Sequence, residues 1–270
     1  MRYQILVLDL DGTLTNSKKE ITPPTKQALL EIQEAGKKVV LASGRPTMGV
    51  APLAKQLNLA DYGSYILSFN GGRITNCRTG EIVYNQFLPN EVVEPVYNIA
   101  RKYPVDILAY GEHSLYSGIE PNMYSETEAY INKVEIDRMV DFVGFVTAQD
   151  NNKLLLTGEP EVIERVRQEM VLEFRDTLNI YCSEPFFLEI MPKNIDKAYS
   201  LKNLLSTLNL TKDEMICCGD GHNDLTMIQL AGLGVAMANA QPLVLKNANY
   251  ITKSNDEDGV LHVINEFMRD

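Results

Sequence analysis

The feature that most constrains this chain is one pattern used three times, a short apolar run that stops beside an acid or hydroxyl and a glycine. Ile5-Leu6-Val7-Leu8 runs into Asp9-Leu10-Asp11-Gly12-Thr13, and residues 39–42 run into Ser43-Gly44-Arg45. Met215-Ile216-Cys217-Cys218 runs into Gly219-Asp220-Gly221-His222-Asn223-Asp224. Unbroken apolar runs of this length suit strands buried on both faces, which belong to parallel sheets covered by helices. In such a sheet the strand ends open on one edge, where ligands bind. Asp9, Ser43 and Asp220, far apart in sequence, are therefore expected to meet.

The segments between these runs fit the same scheme. Thr22-Pro23-Pro24 reads as a helix start, Ala28, Leu29, Ile32 and Ala35 as its apolar stripe, and Gly36 as its stop. A helical stretch after Pro46 is expected to reach about Leu59, and a third strand at residues 65–69 breaks at Asn70-Gly71-Gly72. A hairpin around Arg78-Thr79-Gly80 follows. From about Phe87 the pattern changes to short strands and helices with no further carboxylate-ended strand. Helical stretches near residues 90–103, 120–134 and 159–174 alternate with strand-like runs at 105–110, 154–157, 178–182 and 186–191. The first pattern resumes near Pro192, with a helical run from Ala198 to Leu208 and capping-box spacing at Thr211-Lys212-Asp213-Glu214. The expectation is an α/β fold: a Rossmann-like parallel-sheet core from residues 1–84 and 190–270, with an inserted α+β cap domain at 85–189.

Composition narrows the function classes. With 270 residues and 45% apolar content the chain can bury a full core, and its net charge of −11 disfavours nucleic acid and anionic membranes as partners. No apolar run approaches the ~20 residues that span a bilayer. Asp9 and Asp11 interrupt any signal-peptide pattern, so a soluble, cytoplasmic protein is expected. Cys77, Cys182, Cys217 and Cys218 have neither zinc-site spacing nor disulfide density, and reduced thiols are the expectation. Eight of the 13 tyrosines fall between Tyr84 and Tyr181, a placement that suits stacking on a sugar or base as well as half-buried strand packing.

The acids carry the chemistry. Asp-Gly is ordinary turn chemistry, and Ser43-Gly44-Arg45 by itself reads equally as a strand-to-helix turn. Two carboxylates one residue apart at a strand end also suit phosphoryl transfer to an aspartate, with one oxygen attacking phosphorus and the second group serving as acid and base. Lys197 stands at a helix start, where the helix dipole disfavours a cation unless an anion binds beside it. Acids from two strand ends, a hydroxyl from a third and a lysine combine into a Mg²⁺ site with a phosphate lodged against it.

At these residues the chain resembles the haloacid dehalogenase-like phosphatase superfamily, in particular its Cof-type branch with a C2-type cap. The motifs are Asp9-Leu10-Asp11-Gly12-Thr13, Ser43-Gly44-Arg45, Lys197 and Gly219-Asp220-Gly221-His222-Asn223-Asp224. One departure is Ala198 after Lys197, where the branch often has glycine. The resemblance implies Asp9 as nucleophile and Asp11 as general acid and base. It implies Mg²⁺ held by Asp9, the Asp11 backbone oxygen and Asp220, with Asp224 supporting the metal shell. Phosphate would be met by Leu10, Ser43, Gly44, Lys197 and Asn223. The implied activity is hydrolysis of small phosphorylated metabolites, foremost sugar phosphates, through an aspartyl phosphate, by a monomer or weak homo-oligomer. A sugar phosphomutase like phosphomannomutase is the alternative, distinguished by an isomerised product; a nonenzymatic phosphate-sensing module is a third reading.

Overall fold

The computed structural model describes residues 3–111 and 113–269, which form two compact units: residues 1–84 with 196–270, and residues 85–195. The first unit is built on β1 (Ile5–Leu8), β2 (Lys38–Ala42), β3 (Tyr65–Ser68), β4 (Arg73–Asn76) and β5 (Ile82–Asn85). The inserted unit carries β6 (Asp106–Tyr110), β7 (Ser114–Ser117), β8 (Glu135–Arg138), β9 (Leu154–Thr157), β10 (Leu178–Glu184) and β11 (Phe187–Pro192). The chain then completes the first sheet with β12 (Met215–Gly219), β13 (Leu233–Ala236) and β14 (Tyr250–Ile251). The first sheet has the order β14-β13-β12-β1-β2-β3-β4-β5.

From β14 to β3 every pairing in this sheet is parallel, and β1 lies between β12 and β2 with Leu8 opposite both Cys218 and Leu41. That register brings the strand ends level: the Asp9 amide donates to the Cys218 carbonyl at 3.0 Å. The apolar runs do not alternate because both faces are covered. Leu6, Leu8, Val39, Leu41, Ile216 and Cys218 pack in one apolar cluster, with Leu29 and Ile32 of the Pro23–Glu34 helix and Val263 and Ile264 of Gly259–Phe267. Ile5, Val7, Val40, Ala42 and Cys217 pack in another with Leu201, Leu204 and Leu205 of the helix Lys197–Leu208. All four cysteines are free, and Cys217 and Cys218 are buried. The stretch expected to run as one helix to Leu59 is two, Thr47–Gln56 and Leu59–Tyr62, divided by Asn58 in a left-handed conformation (φ 52°) that stops an α-helix.

In the inserted unit the sheet order is β10-β11-β9-β6-β7-β8, antiparallel except for the β7–β8 pair. One face carries Ile107, Ala109, Leu154, Leu156, Leu188 and Ile190, which pack with the helices Val93–Ala100, Phe142–Thr147 and Pro160–Phe174. The alternate residues mix buried apolar groups, Leu108, Leu155 and Met191 among them, with paired polar ones: Asp106 accepts from Ser117 and Ser125, and Lys153, just before β9, pairs with Glu189 at 3.3 Å. Because β11 continues to Pro192 in this sheet, the chain leaves the inserted unit after Ile195, some residues beyond the return expected at 190. The tyrosines are largely taken up by internal contacts: Tyr97 stacks on Phe142, Tyr116 packs edge-on against Phe145, and Tyr124 stacks on Phe186. Among the described residues no helix is long and apolar enough to cross a membrane.

Candidate active site

The three strand ends converge around Lys197. Asp196 caps its helix by accepting from the Tyr199 amide at 2.7 Å, so Lys197 is the first helical residue, where its own backbone dipole opposes a cation. Its side chain is nonetheless fully buried. The ammonium donates to Asp9 Oδ1 at 2.6 Å, to Asp224 Oδ1 at 2.6 Å and to the Ala42 carbonyl at 2.9 Å. The residue after β1, the last residue of β2 and the loop after β12 each supply one of these acceptors, so the lysine fastens the motifs together. Burial lowers its pKa, but the Asp224 and Asp9 charges outweigh that and hold it above the usual lysine range.

Asp224 is committed on both oxygens. While Oδ1 faces Lys197, Oδ2 accepts from the amides of Asp220 at 3.0 Å and Gly221 at 2.9 Å, shaping the loop that presents Asp220. Asp9 and Asp220 are less occupied: Asp220 Oδ1 accepts from Thr13 Oγ1 at 2.9 Å, and among the described residues the Oδ2 atoms of Asp9 and Asp220 accept no hydrogen bond. Gly12 permits this approach. Its φ of +81° and the place of its absent Cβ, which would overlap the Asp220 carboxylate, both exclude a side chain.

The acids of this cluster cannot all be charged without help. Burial, then the Asp224 charge, push Asp9 well above the ordinary carboxylate range despite Lys197. Burial raises Asp220 to about 6, with Asp224 adding to the rise and the Thr13 hydroxyl opposing it. Ligand oxygens of Asp9, Asp220 and Asp224 lie within 4.8 Å of one another. Three carboxylates against one ammonium leave two negative charges unbalanced, and an all-oxygen donor set is what a hard divalent cation takes. The residues present fit such a cation.

Asp11 stands differently. Arg45 grips its carboxylate with both arms of a fork, Nη2 to Oδ1 at 2.7 Å and Nε to Oδ2 at 3.0 Å, and Lys19 donates to Oδ1 at 2.7 Å. Burial pushes the Asp11 pKa up, but these hydrogen bonds and charges outweigh it and leave the group below the usual range. Ser43 is buried; its Oγ accepts from the Arg45 amide at 3.1 Å, and its amide donates to the Leu67 carbonyl at 2.9 Å. The Leu10 side chain is buried in the core, so only its backbone is available to a ligand. Asn223 donates to Asn70 Oδ1 at 3.0 Å, and the Asn70 side chain leaves only contact space over Gly44.

Asn70 and Arg45 were not singled out from the sequence as site residues. Asn70 follows β3 on the same sheet edge, its amide donates to the Ser43 carbonyl at 3.0 Å, and both Phe69 (φ 53°) and Asn70 (φ 51°) are left-handed. A non-glycine pair in that region is strained, by about 1–3 kcal/mol per residue. The available signal was a further apolar run ending in Asn-Gly, which reads first as a turn.

This arrangement has counterparts. Residues 6–264 match the haloacid dehalogenase-like hydrolase family. A haloacid dehalogenase-like hydrolase from Bacteroides thetaiotaomicron, solved by crystallography, is 45% identical with a TM-score of 0.94, the match covering 98% of this chain and 99% of that one. YxeH of Bacillus subtilis (strain 168) is 34% identical over 271 residues, 98% of each chain. The 5-amino-6-(5-phospho-D-ribitylamino)uracil phosphatase YcsE of the same strain is 29% identical over 265 residues, 98% of this chain and 96% of its own. The chain belongs to the haloacid dehalogenase-like hydrolases, in their Cof-type phosphatase branch. It is an enzyme of the phosphatase class acting on small phosphorylated compounds, a family that generally uses a divalent metal.

Proposed function

We propose that this enzyme hydrolyses phosphate monoesters of small polyhydroxylated metabolites, foremost sugar and sugar-alcohol phosphates, with Mg²⁺ as its metal. The observation that carries the reading is the buried Lys197 bridging Asp9 and Asp224 at 2.6 Å, with a third acid, Asp220, beside them. Asp9 and Asp220, with the Asp11 carbonyl, hold the metal, and Asp224 orients Lys197 and the Asp220 loop. When bound, Mg²⁺ supplies the positive charge that keeps Asp9 ionised and offsets the charge of the phosphoryl oxygens. Asp9 Oδ2 attacks phosphorus, Lys197 steadies the incoming oxygens, and Asp11 protonates the departing alkoxide. Asp11 then takes the proton of the water that cleaves the aspartyl phosphate. Backbone of Leu10 and Gly44, with Ser43 and Asn223, completes the phosphate cradle, and residues 85–195 act as the specificity domain.

Two facts support a hydrolase over a phosphomutase. A mutase must hold a bisphosphate through a second, strongly basic site. In the inserted unit Lys102, Arg138, Lys153, Arg167 and Arg175 each stand against a carboxylate, which consumes the charge such a site would need. The relative YcsE bears the name of a phosphatase acting on a phosphorylated ribityl chain, a primary alkyl phosphate. The test is phosphate release with Mg²⁺ across ribose 5-phosphate, ribitol 5-phosphate, glucose 6-phosphate, flavin mononucleotide and pyridoxal phosphate. Glucose 1-phosphate with and without its bisphosphate is followed for isomer. Free phosphate from the polyol esters is the expected result; bisphosphate-dependent isomer outpacing phosphate would establish the mutase.

A further inference from the structure

The fork between Arg45 and Asp11 joins two parts of the site that the phosphatase reading uses separately. Arg45 sits in the loop between β2 and the helix Thr47–Gln56, where its amide donates to Ser43 Oγ at 3.1 Å and its carbonyl accepts from the Phe69 amide at 3.0 Å. Its backbone is thus tied to the Ser43 loop, and its guanidinium reaches Asp11 in the loop that follows the neighbouring strand β1. The side chain is only 19% exposed, against 40% for Asp11. A two-pronged, mostly buried fork fixes both the rotation and the position of a carboxylate, which a lysine, as a point charge, cannot do.

The other cation on Asp11 is of a different kind. Lys19 is 63% exposed and sits left-handed (φ 62°) in the turn whose ends join through the Asn16 amide and Glu20 carbonyl at 3.0 Å. An exposed ion pair of that sort adds little. The orientation of Asp11 therefore rests on Arg45.

We infer that Arg45 is the positioning residue for the acid and base of this enzyme, fixing the rotation and place from which Asp11 reaches a poor leaving group, an effect that outweighs the preference of the same guanidinium for the ionised carboxylate. The inference rests on the phosphatase reading and adds to it a residue that acts through Asp11 instead of on the phosphate. Its signature is dependence on the leaving group. An alkoxide cannot depart without a proton, whereas 2,4-dinitrophenolate can, so only the first substrate needs a well-placed Asp11.

The experiment compares kcat/KM, which reports steps through departure of the alcohol, for 2,4-dinitrophenyl phosphate and for the primary alkyl phosphate that the wild type turns over fastest. Arg45→Ala should lower the alkyl value by about ten- to a hundredfold, reaching at most the lower end of a general acid's own contribution, with the loss in kcat and KM little changed. The aryl value should fall less than about threefold, and Arg45→Lys should recover only part of the alkyl loss. Asp11→Asn should erase the effect, so that adding Arg45→Ala to it costs nothing more on the alkyl ester. Thermal melts establish that each variant is folded, and Arg45→Gln replaces any alanine variant that is not. Equal losses on both esters with a raised KM would make Arg45 a phosphate-binding group and overturn the inference. No loss on either ester would overturn it too. A wild type that releases phosphate from neither ester would instead defeat the phosphatase reading, and the role of Arg45 with it.

Discussion

Each unit of the molecule buries a lysine against carboxylates, and the two clusters are balanced differently. In the inserted unit Lys153 meets one partner, Glu189, at 3.3 Å, both nearly inaccessible, and lies 4.8 Å from the centre of the Tyr110 ring. The neighbouring acceptors are served by hydroxyls: Tyr181 donates to Glu189 at 3.0 Å and Tyr110 to Glu128 at 2.8 Å. In the core Lys197 faces two carboxylates, a third stands beside them, and two carboxylate oxygens are left unserved among the described residues. A locally balanced buried pair holds a sheet face together. An unbalanced one holds its excess charge for something that arrives.

The comparison is broken most severely at Asp9, the proposed nucleophile. Asp9→Asn replaces the carboxylate with an amide and should lower kcat by at least about a thousandfold while the melting temperature changes little. Activity within tenfold of wild type would take Asp9 out of that role.

The next largest effect should appear as stability in the inserted unit. Lys153→Met strands the buried Glu189 and should cost about 3–5 kcal/mol, measured by denaturant unfolding of the full chain. Adding Glu189→Leu should return most of that loss, since a balanced pair can be exchanged for packing. If the single variant costs nothing, this cluster is not the balanced structural pair described.

The acids of the core add a pH dependence. Asp220, at about 6, binds a proton more readily folded than unfolded. In metal-free protein its contribution to stability is therefore fully present below the unfolded value near 4 and is lost as pH rises through about 6. Protons compete for the same oxygens that a cation needs. Apparent Mg²⁺ affinity, read by titration of activity, should fall roughly tenfold from pH 7.5 to pH 5, and Asp220→Ala should raise the Mg²⁺ requirement at every pH. A requirement unchanged by pH and by the variant would remove Asp220 from the metal site.

Lys19→Ala should have the smallest effect. Its partner Asp11 keeps the Arg45 fork, so turnover should change less than about threefold, consistent with an exposed ion pair. A larger loss would mean that the turn at Lys19, not Arg45, fixes the acid.

Some elements were hidden from a reading along the chain for local reasons. Strand β8, Glu135-Ile136-Asp137-Arg138, lies at the sheet edge with three of its four residues exposed, so it has no apolar pattern to detect. Strand β7, Ser114-Leu115-Tyr116-Ser117, has one apolar residue between its serines and the tyrosine and is equally faint. The strands after Asp224 are short: β13 has four residues, one a glycine, and β14 has two. Such segments become strands because a neighbour supplies hydrogen bonds and cover, not because their own residues insist on it.

What the sequence determined by itself is what depends on nearby residues. Unbroken apolar runs dictate doubly covered strands, their polar stops dictate where the chemistry can gather, and Thr22-Pro23 with Gly36 dictates the ends of a helix seen at Pro23–Glu34. The tertiary structure alone decided which of these groups touch. It turned the side chain of Lys197, at the start of its helix, into the space between Asp9 and Asp224, closed the Arg45 fork on Asp11, and set Asn70 beside Asn223. The reason is that side-chain convergence depends on strand register and rotamer across the sheet. A parallel sheet fixes these by pairing residues far apart in the chain, and no spacing along the sequence encodes the distance between them.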